Sequence, residues 1–243
     1  MSYNCSVSFV LETFTHDTSA VKRRSAEVIG TEFNQPDFIR LIRLFLHEQL
    51  HADSVSNLSS GSNISDGNLP EFKGRGTIFI HNSAVAIFFA PSDISGVEGM
   101  RREHIRATPT WRKGPARYDC VFINTDADQS GMRGLDVARV QLFFSFMYQG
   151  IKYPCALIRW FSRVGDEPDV DTGMWLVQPD SDANGPPTMS IVHVDTIVRA
   201  VHLIGVYGDQ FLPPGITFHN SLDVFDTFYV NKYIDHHAFE IAV

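Results

Sequence analysis

The clearest pattern in the chain is the alternation of apolar and more polar side chains over residues 137–148. Alternation with a period of two is typical of a strand that buries one face. Gln149 and Gly150 follow as a two-residue turn, and residues 151–163 are predicted to return as the partner strand. Pro154 cannot donate a backbone hydrogen bond, so we expect its end of the strand at a sheet edge or a bulge.

Further strands are predicted from shorter apolar runs bounded by Gly, Pro, Asp and Asn. They cover residues 6–14, 77–80, 84–89, 118–124, 173–178 and 190–194, whereas residues 196–206 fit a helix or a strand. Between two of these runs, residues 99–117 are basic and rich in Gly and Pro, which predicts an irregular segment.

Helical spacing of apolar side chains is clearest over residues 36–51, with Asn34 as the expected cap, and is also present over 222–233 and, briefly, 21–29. We therefore predict an α+β fold of mainly antiparallel β-sheet, with helices packed at the ends or on one face. A small barrel is an alternative closure of the sheet. The predicted domains are a helical region at 1–75, with a polar linker at 52–75, and a β-rich domain with a C-terminal helix at 76–243.

Composition agrees with a globular protein, since 44% of the 243 residues are hydrophobic and 20% are charged. Apolar runs fall well short of the ~20 residues of a membrane helix, and the N-terminus does not look like a secretory signal. The three cysteines (Cys5, Cys120 and Cys155) lack Cys-x-x-Cys spacing. These features predict an intracellular protein with reduced thiols and no membrane partner.

Charge is segregated along the chain. Residues 100–163 carry eleven basic and five acidic side chains, whereas residues 164–243 carry two basic and twelve acidic ones. The basic side chains crowd between Gly99 and Tyr118, where Glu103 is the one acidic side chain close by. Their guanidinium and ammonium groups can neutralise phosphates, and an aromatic ring among them can stack on bases. The predicted nucleic-acid-binding residues are Arg101, Arg102, Arg106, Trp111, Arg112, Lys113 and Arg117. The alternative is a basic loop that folds against the acidic segment.

One motif suggests catalysis. His47, Glu48 and His51 match His-Glu-x-x-His, which on a helix can bind zinc with the glutamate as general base. Arg43 and Arg40 occupy the preceding turns of the same face, and two cations beside a divalent metal are unfavourable. The vicinal pair His236–His237 does not share one face of a helix or strand. We predict no catalytic residue, no metal site and no cofactor.

Several short strings occur together in this chain. They are 81–84 (HNSA), 90–93 (APSD), 99–103 (GMRRE), 105–111 (IRATPTW), 118–122 (YDCVF), 134–140 (GLDVARV), 160–168 (WFSRVGDEP), 173–175 (GMW), 229–233 (YVNKY) and 235–240 (DHHAFE). Over roughly residues 32–243 the chain resembles the C-terminal region of Plavaka-type (CACTA-like) DNA transposon proteins of basidiomycete fungi. In that family the metal-dependent transposase core lies in another part of the protein, so the resemblance implies no catalytic residues here.

The resemblance implies a nuclear setting, with DNA and other parts of the transposon protein as partners. The function that we expect is therefore a non-catalytic accessory module that binds nucleic acid or assists assembly through its basic segment. A first alternative is a small barrel that reads chromatin through an aromatic pocket of Trp160, Trp175 and Tyr207. A second is a zinc-dependent hydrolase built on His47, Glu48 and His51.

Overall fold

The computed structural model describes residues 8–12, 22–51, 64–72, 78–92, 96–180, 188–208 and 211–243. The helices are α1 (Ala26–Glu32), α2 (Phe38–Leu50) and α3 (His236–Ile241). The strands are β1 (Ser8–Glu12), β2 (Lys22–Arg24), β3 (Ile78–His81), β4 (Ser83–Phe89), β5 (Met100–Thr108), β6 (Arg117–Tyr118), β7 (Cys120–Asn124), β8 (Leu135–Tyr148), β9 (Ile151–Arg163), β10 (Leu176–Pro179), β11 (Met189–His193), β12 (Ile197–Val201), β13 (Leu203–Gly205) and β14 (Phe228–Val230). All strand pairs that the structure describes are antiparallel, which confirms the predicted α+β class.

The β8–β9 hairpin is the spine of a large sheet with the order β12-β7-β8-β9-β10-β14-β13. One half of β8 pairs with β7 and the other half with β3, while β9 pairs with β11 and then with β10. Pro154 lies just beyond the end of β11, where no hydrogen-bond donor is needed, as expected. Strands β12 and β13 stay at the two edges, so the small barrel considered above is not closed by the strands that the structure describes.

A small sheet of order β1-β4-β5-β6 covers one face of the large sheet. The core between them consists of alanine, valine and isoleucine side chains with two phenylalanines, Phe88 and Phe143. Because successive residues of a strand face opposite ways, the inward positions of β5, Ile105 and Ala107, are buried in this core.

The opposite face of the large sheet packs against α1 and α2 at one end. Phe38 of α2 lies 5.5 Å from Phe144, and Phe45 lies 5.9 Å from Tyr153, measured between ring centroids. The other end carries a separate core around Trp175, with Phe161 and Phe228. The helices thus share a core with the β-sheet, while the domain division at residue 75 stays a prediction.

Two segments differ from their predicted structure. Residues 222–233 are not a helix, because Phe228 and Val230 are alternate buried positions of the short strand β14. The C-terminal helix is α3 instead, and Asp235 caps it by accepting a hydrogen bond from the Ala238 amide at 2.8 Å. Residues 99–117 are not irregular, since they include the nine-residue strand β5 and a tight turn.

The N-terminal region also departs from the pattern in detail. Within the helix predicted at 21–29, Lys22–Arg24 form strand β2, and α1 begins at Ala26 with Ser25 as its cap. Asn34 has a positive φ of 50° and lies between the two helices, so Asp37 takes the cap position of α2. Part of the predicted linker, residues 64–72, is bound to α2 by Arg43, which donates to the Pro70 carbonyl at 2.9 Å. Residues 52–63 and 73–75 of that linker lie outside the described residues.

The ranges that the structure describes contain no helix long and apolar enough to cross a membrane.

Candidate nucleic-acid interface

Five of the seven predicted binding residues meet at one end of the small sheet, in residues 106–119, where the end of β5 turns back into β6. We call this the basic hairpin. Its strands pair at Ala107 with Tyr118 and at Thr108 with Arg117. The tip is closed by a hydrogen bond from the Gly114 amide to the Trp111 carbonyl at 2.8 Å, with Arg112 and Lys113 as the two residues of the turn.

The pleat of β5 divides the predicted residues between two faces. Arg102 and Arg106 lie on the outer face, opposite to the core positions Ile105 and Ala107. Arg101 lies on the inner face, with its Nη1 3.6 Å from Oδ2 of Asp235. Arg101 therefore follows the alternative prediction, in which the basic segment pairs with the acidic C-terminal part of the chain.

The indole ring of Trp111 is the centre of the basic hairpin. Three guanidinium groups lie over it, those of Arg106, Arg112 and Arg117, at 4.1, 5.3 and 5.7 Å from the ring centroid. Cations lie favourably over an indole face, and Trp is the best aromatic partner for them. Because guanidinium groups already lie over the ring, Trp111 is suited to hold arginines in place rather than to stack on a base.

A single carboxylate, that of Asp119, supports this arrangement. It accepts hydrogen bonds from the Arg117 side chain, at 2.7 and 3.3 Å, and from the Arg106 backbone amide at 2.9 Å. Arg112 and Lys113 form no ion pair with any carboxylate among the described residues. Burial, and the charges of Arg117 and Arg112, lower the pKa of Arg106 against the opposing effect of Asp119. The hairpin therefore has an excess of positive charge that an anion would relieve.

The tip has an unusual backbone. Arg112 and Lys113 both have positive φ, 51° and 63°, as a type I′ turn requires. Two other turns with paired positive φ place glycine second, at Glu98–Gly99 and Gln149–Gly150. The basic hairpin has lysine there instead, although side chains with a Cβ are strained in this region. The chain thus keeps two cations at its tip where Asn-Gly would be more stable.

Sequence reasoning missed a buried charged group, the Arg199 cluster, formed by Arg199, Asp235, Glu103 and His237. Arg199 of β12 donates two parallel hydrogen bonds to Asp235, at 2.7 and 2.8 Å, and a further one to Glu103 at 3.3 Å. Glu103 also accepts a hydrogen bond from the Ala200 amide. The one carboxylate that the sequence places within the basic segment is therefore turned inward, away from the outer face.

The His-Glu-x-x-His residues do not assemble into a metal centre. The rings of His47 and His51 stack with centroids 4.3 Å apart, and Nδ1 of His51 donates to the His47 carbonyl at 2.8 Å. Arg40 and Arg43 on the preceding turns bind residues 66–70. Within the described ranges no group of three or more His, Cys, Asp or Glu side chains could hold a metal ion.

The three aromatic residues of the alternative reader pocket are not brought together. Trp175 is buried, with 3% of its surface exposed, in the core around Phe161. Trp160 packs on the opposite face of the large sheet and donates its indole N–H to Ser190 at 2.9 Å. Tyr207 is 64% exposed. A shared aromatic cage would need all three rings on one face.

Comparisons of the chain with protein-family models, with curated proteins and with solved structures find no match.

Proposed function

We propose that this chain is a non-catalytic module that binds duplex DNA through the phosphates, using the basic hairpin. The observation that supports the proposal is the crowding of three guanidinium groups on Trp111, with the ammonium group of Lys113 beside them at the tip and a single carboxylate, that of Asp119, against these four cations. The chemistry of the group matches a phosphate better than a base, because guanidinium donors bind phosphate oxygens in a bidentate way. The expected accessory role in a transposon protein fits such a module.

Binding without base contacts should be weak and independent of sequence. We expect a Kd on the order of 10⁻⁶ to 10⁻⁴ M near physiological salt, as for other non-specific DNA complexes. Contacts by Arg106, Arg112, Lys113 and Arg117 to three or four phosphates would give log K a slope of about −3 against log salt.

The experiment is a fluorescence-anisotropy titration of a labelled duplex over a salt series, for the wild type and the double variant Arg112→Ala/Lys113→Ala. Loss of two phosphate contacts should make the slope shallower by about 2 and weaken binding at low salt at least tenfold. The matched control is Arg133→Ala/Lys232→Ala, which removes the same charge outside the hairpin and should bind like the wild type. Equal losses in both variants, or no binding by the wild type at low salt, contradict the proposal.

A further inference from the structure

A second charged surface lies where the loop between β7 and β8, residues 125–134, meets the loop between β9 and β10, residues 164–175. These two loops contain six acidic side chains and one basic side chain, Arg133. An ion pair of 3.2 Å between Arg133 and Glu167 joins them. This end of the molecule is therefore acidic, in contrast to the basic hairpin.

A cleft of about 640 Å³ lies between these loops, beside the start of β8 and the end of β9. We call it the acidic cleft. It is wide enough to admit side chains from outside, since pockets for small ligands measure roughly 300–1,000 Å³. Four carboxylates and two guanidinium groups line it, a net charge of −2, and they belong to Asp136, Asp166, Glu167, Asp180, Arg133 and Arg163.

Both arginines of the acidic cleft are already paired within the chain. Arg163 donates to the Met132 carbonyl at 2.9 Å, and its Nε lies 3.9 Å from a carboxylate oxygen of Asp136. Arg133 pairs with Glu167, as described above. These guanidinium groups therefore leave two of the four carboxylates without a cation.

The two remaining carboxylates are those of Asp166 and Asp180. Asp166 is exposed, and neither residue forms an ion pair within the described part of the chain. Asp180 accepts a hydrogen bond from the Ser162 hydroxyl, which leaves further lone pairs on its carboxylate. Trp160 also lines the cleft, and an indole is the best aromatic surface for a guanidinium group. The acidic cleft is thus suited to receive cations from another molecule.

The acidic cleft and the basic hairpin lie at opposite ends of strand β7. Asp119 of the hairpin precedes Cys120, the first residue of β7, whereas the last residue, Asn124, pairs with Leu135 beside Asp136 of the cleft. A strand of five residues is about 17 Å long. Because the pairing of β6 with β5 fixes the hairpin at its own end, the hairpin cannot enter the cleft of the same chain.

We propose that the acidic cleft receives the tip of the basic hairpin from a second copy of this chain. The two cations of the tip, Arg112 and Lys113, then lie against the carboxylates of Asp166 and Asp180. The surfaces match in charge, since the hairpin carries four cations and one carboxylate, or +3, against −2 for the lining of the cleft. Complementary charge steers the two surfaces together and fixes their register.

The contact involves one turn of chain, so it belongs with the small interfaces of transient complexes. We expect a Kd on the order of 10⁻⁴ M at low salt. Salt weakens the contact, because exposed charges are screened over about 10 Å at 0.1 M ionic strength. Duplex DNA competes with the second copy for the hairpin, a consequence that rests on the proposed function.

The test is sedimentation velocity of the whole chain over a concentration series, at about 50 mM and about 500 mM salt. The sedimentation coefficient of the wild type should rise with concentration at low salt and stay constant at high salt. Arg112→Gln/Lys113→Gln and Asp166→Asn/Asp180→Asn should each weaken self-association about tenfold. An equal mixture of these two double variants should associate again, because it contains one intact hairpin and one intact cleft.

The matched control is Glu27→Gln/Glu32→Gln, which removes the same charge from the exposed side of α1 and should associate like the wild type. A wild type that stays monomeric at low salt overturns the inference, and so does a mixture that fails to associate. If the monomeric wild type instead binds tetralysine at the cleft, the occupant is a basic segment of another protein, and the inference is again wrong. Sedimentation is measured without DNA, so failure of this contact and failure of DNA binding are distinguishable.

Discussion

The guanidinium group of Arg199 is almost completely withdrawn from water, with 2% of the residue exposed. Its charge is balanced by Asp235 and Glu103, and its flat face lies 5.0 Å from the ring centroid of Phe88. His237 stacks on the same phenylalanine, with centroids 4.6 Å apart, and its Nδ1 accepts a hydrogen bond from Arg199 at 3.2 Å. Arg199 thus joins the large sheet, the small sheet and the end of the chain at one point.

Replacing Arg199 should therefore be severely destabilising. In Arg199→Leu, Asp235 and Glu103 lose the partner that balances their charge, and such a loss costs about 3–5 kcal/mol of unfolding free energy. Urea unfolding followed by circular dichroism measures it. The control is Arg133→Ala, which breaks an exposed pair with Glu167 at 3.2 Å and should cost at most about 1 kcal/mol. Similar losses in the two variants would show that the Arg199 cluster does not stabilise the fold.

At the scale of elements, the sequence predicts the parts whose pattern is local. The β8–β9 hairpin was predictable because alternation and a Gln149–Gly150 turn fall within one stretch of chain. Strand β5 was not, because two of its inward positions are Arg101 and Glu103, which look like surface residues. Their partners are far away in sequence, Arg199 being 96 residues from Glu103, so no local pattern reveals that they face inward.

The predicted helix at 222–233 failed for a different reason. Its aromatic residues are three and four positions apart, which fits a helix, but Phe228 and Val230 also fit a short strand. Pairing with β10 and β13 decides between the helix and the strand. Both partner strands are distant in sequence, so the local pattern does not reveal the pairing. The same limit applies to the candidate interface. The crowding of basic residues is visible in the sequence, whereas their order around Trp111 is not.

The tip of the basic hairpin allows stability and binding to be separated. In Arg112→Asn/Lys113→Gly the backbone keeps its type I′ turn with residues that favour it, so the unfolding free energy should rise by about 1 kcal/mol. The two cations are lost, so DNA affinity at low salt should fall at least tenfold. Thermal unfolding and anisotropy on the same samples measure both.

The control for this double variant is Arg112→Lys. It keeps the positive charge at the tip and should retain most of the DNA affinity. A more stable Asn-Gly variant with undiminished DNA binding would show that the cations at the tip serve another purpose. A less stable one would show that the turn depends on contacts of Arg112, such as the one with Trp111.

For the whole molecule, the net charge of −8 restricts the part of the surface that DNA can approach. Most of the surface repels a polyanion, so DNA can approach only where cations locally exceed carboxylates. The buried pairing of Asp235 with Arg199 and Arg101 neutralises a part of the acidic C-terminal region within the fold. Some of the basic and acidic side chains that are segregated along the sequence thus form buried ion pairs, and the others lie on the surface.

The same pairing makes the stability of the whole chain depend on pH. Burial and the charge of Arg199 lower the pKa of His237 to about 4, whereas its ordinary value is about 6.5. The unfolded chain therefore binds a proton that the folded chain rejects, and stability falls as pH falls from about 6.5 to 4. Burial alone raises the pKa of Asp235, but hydrogen bonds from Arg199 and from the Ala238 amide bring it to about 2. A second loss of stability follows as pH falls from about 4 to 2.

We therefore expect the unfolding free energy of the wild type to decrease by about 1–3 kcal/mol between pH 6.5 and 4, measured by urea unfolding at each pH. His237→Gln removes the titrating ring and should flatten this slope. His81, whose pKa is also lowered by burial, should account for what remains. The neighbouring His236 is the control variant, because its side chain is 61% exposed and lies outside the Arg199 cluster, and His236→Gln should keep the fall in stability that His237 causes. If the two histidine variants showed the same slope, protonation of the Arg199 cluster would not be linked to folding. The conclusion that His237 is buried in its neutral form would then be wrong.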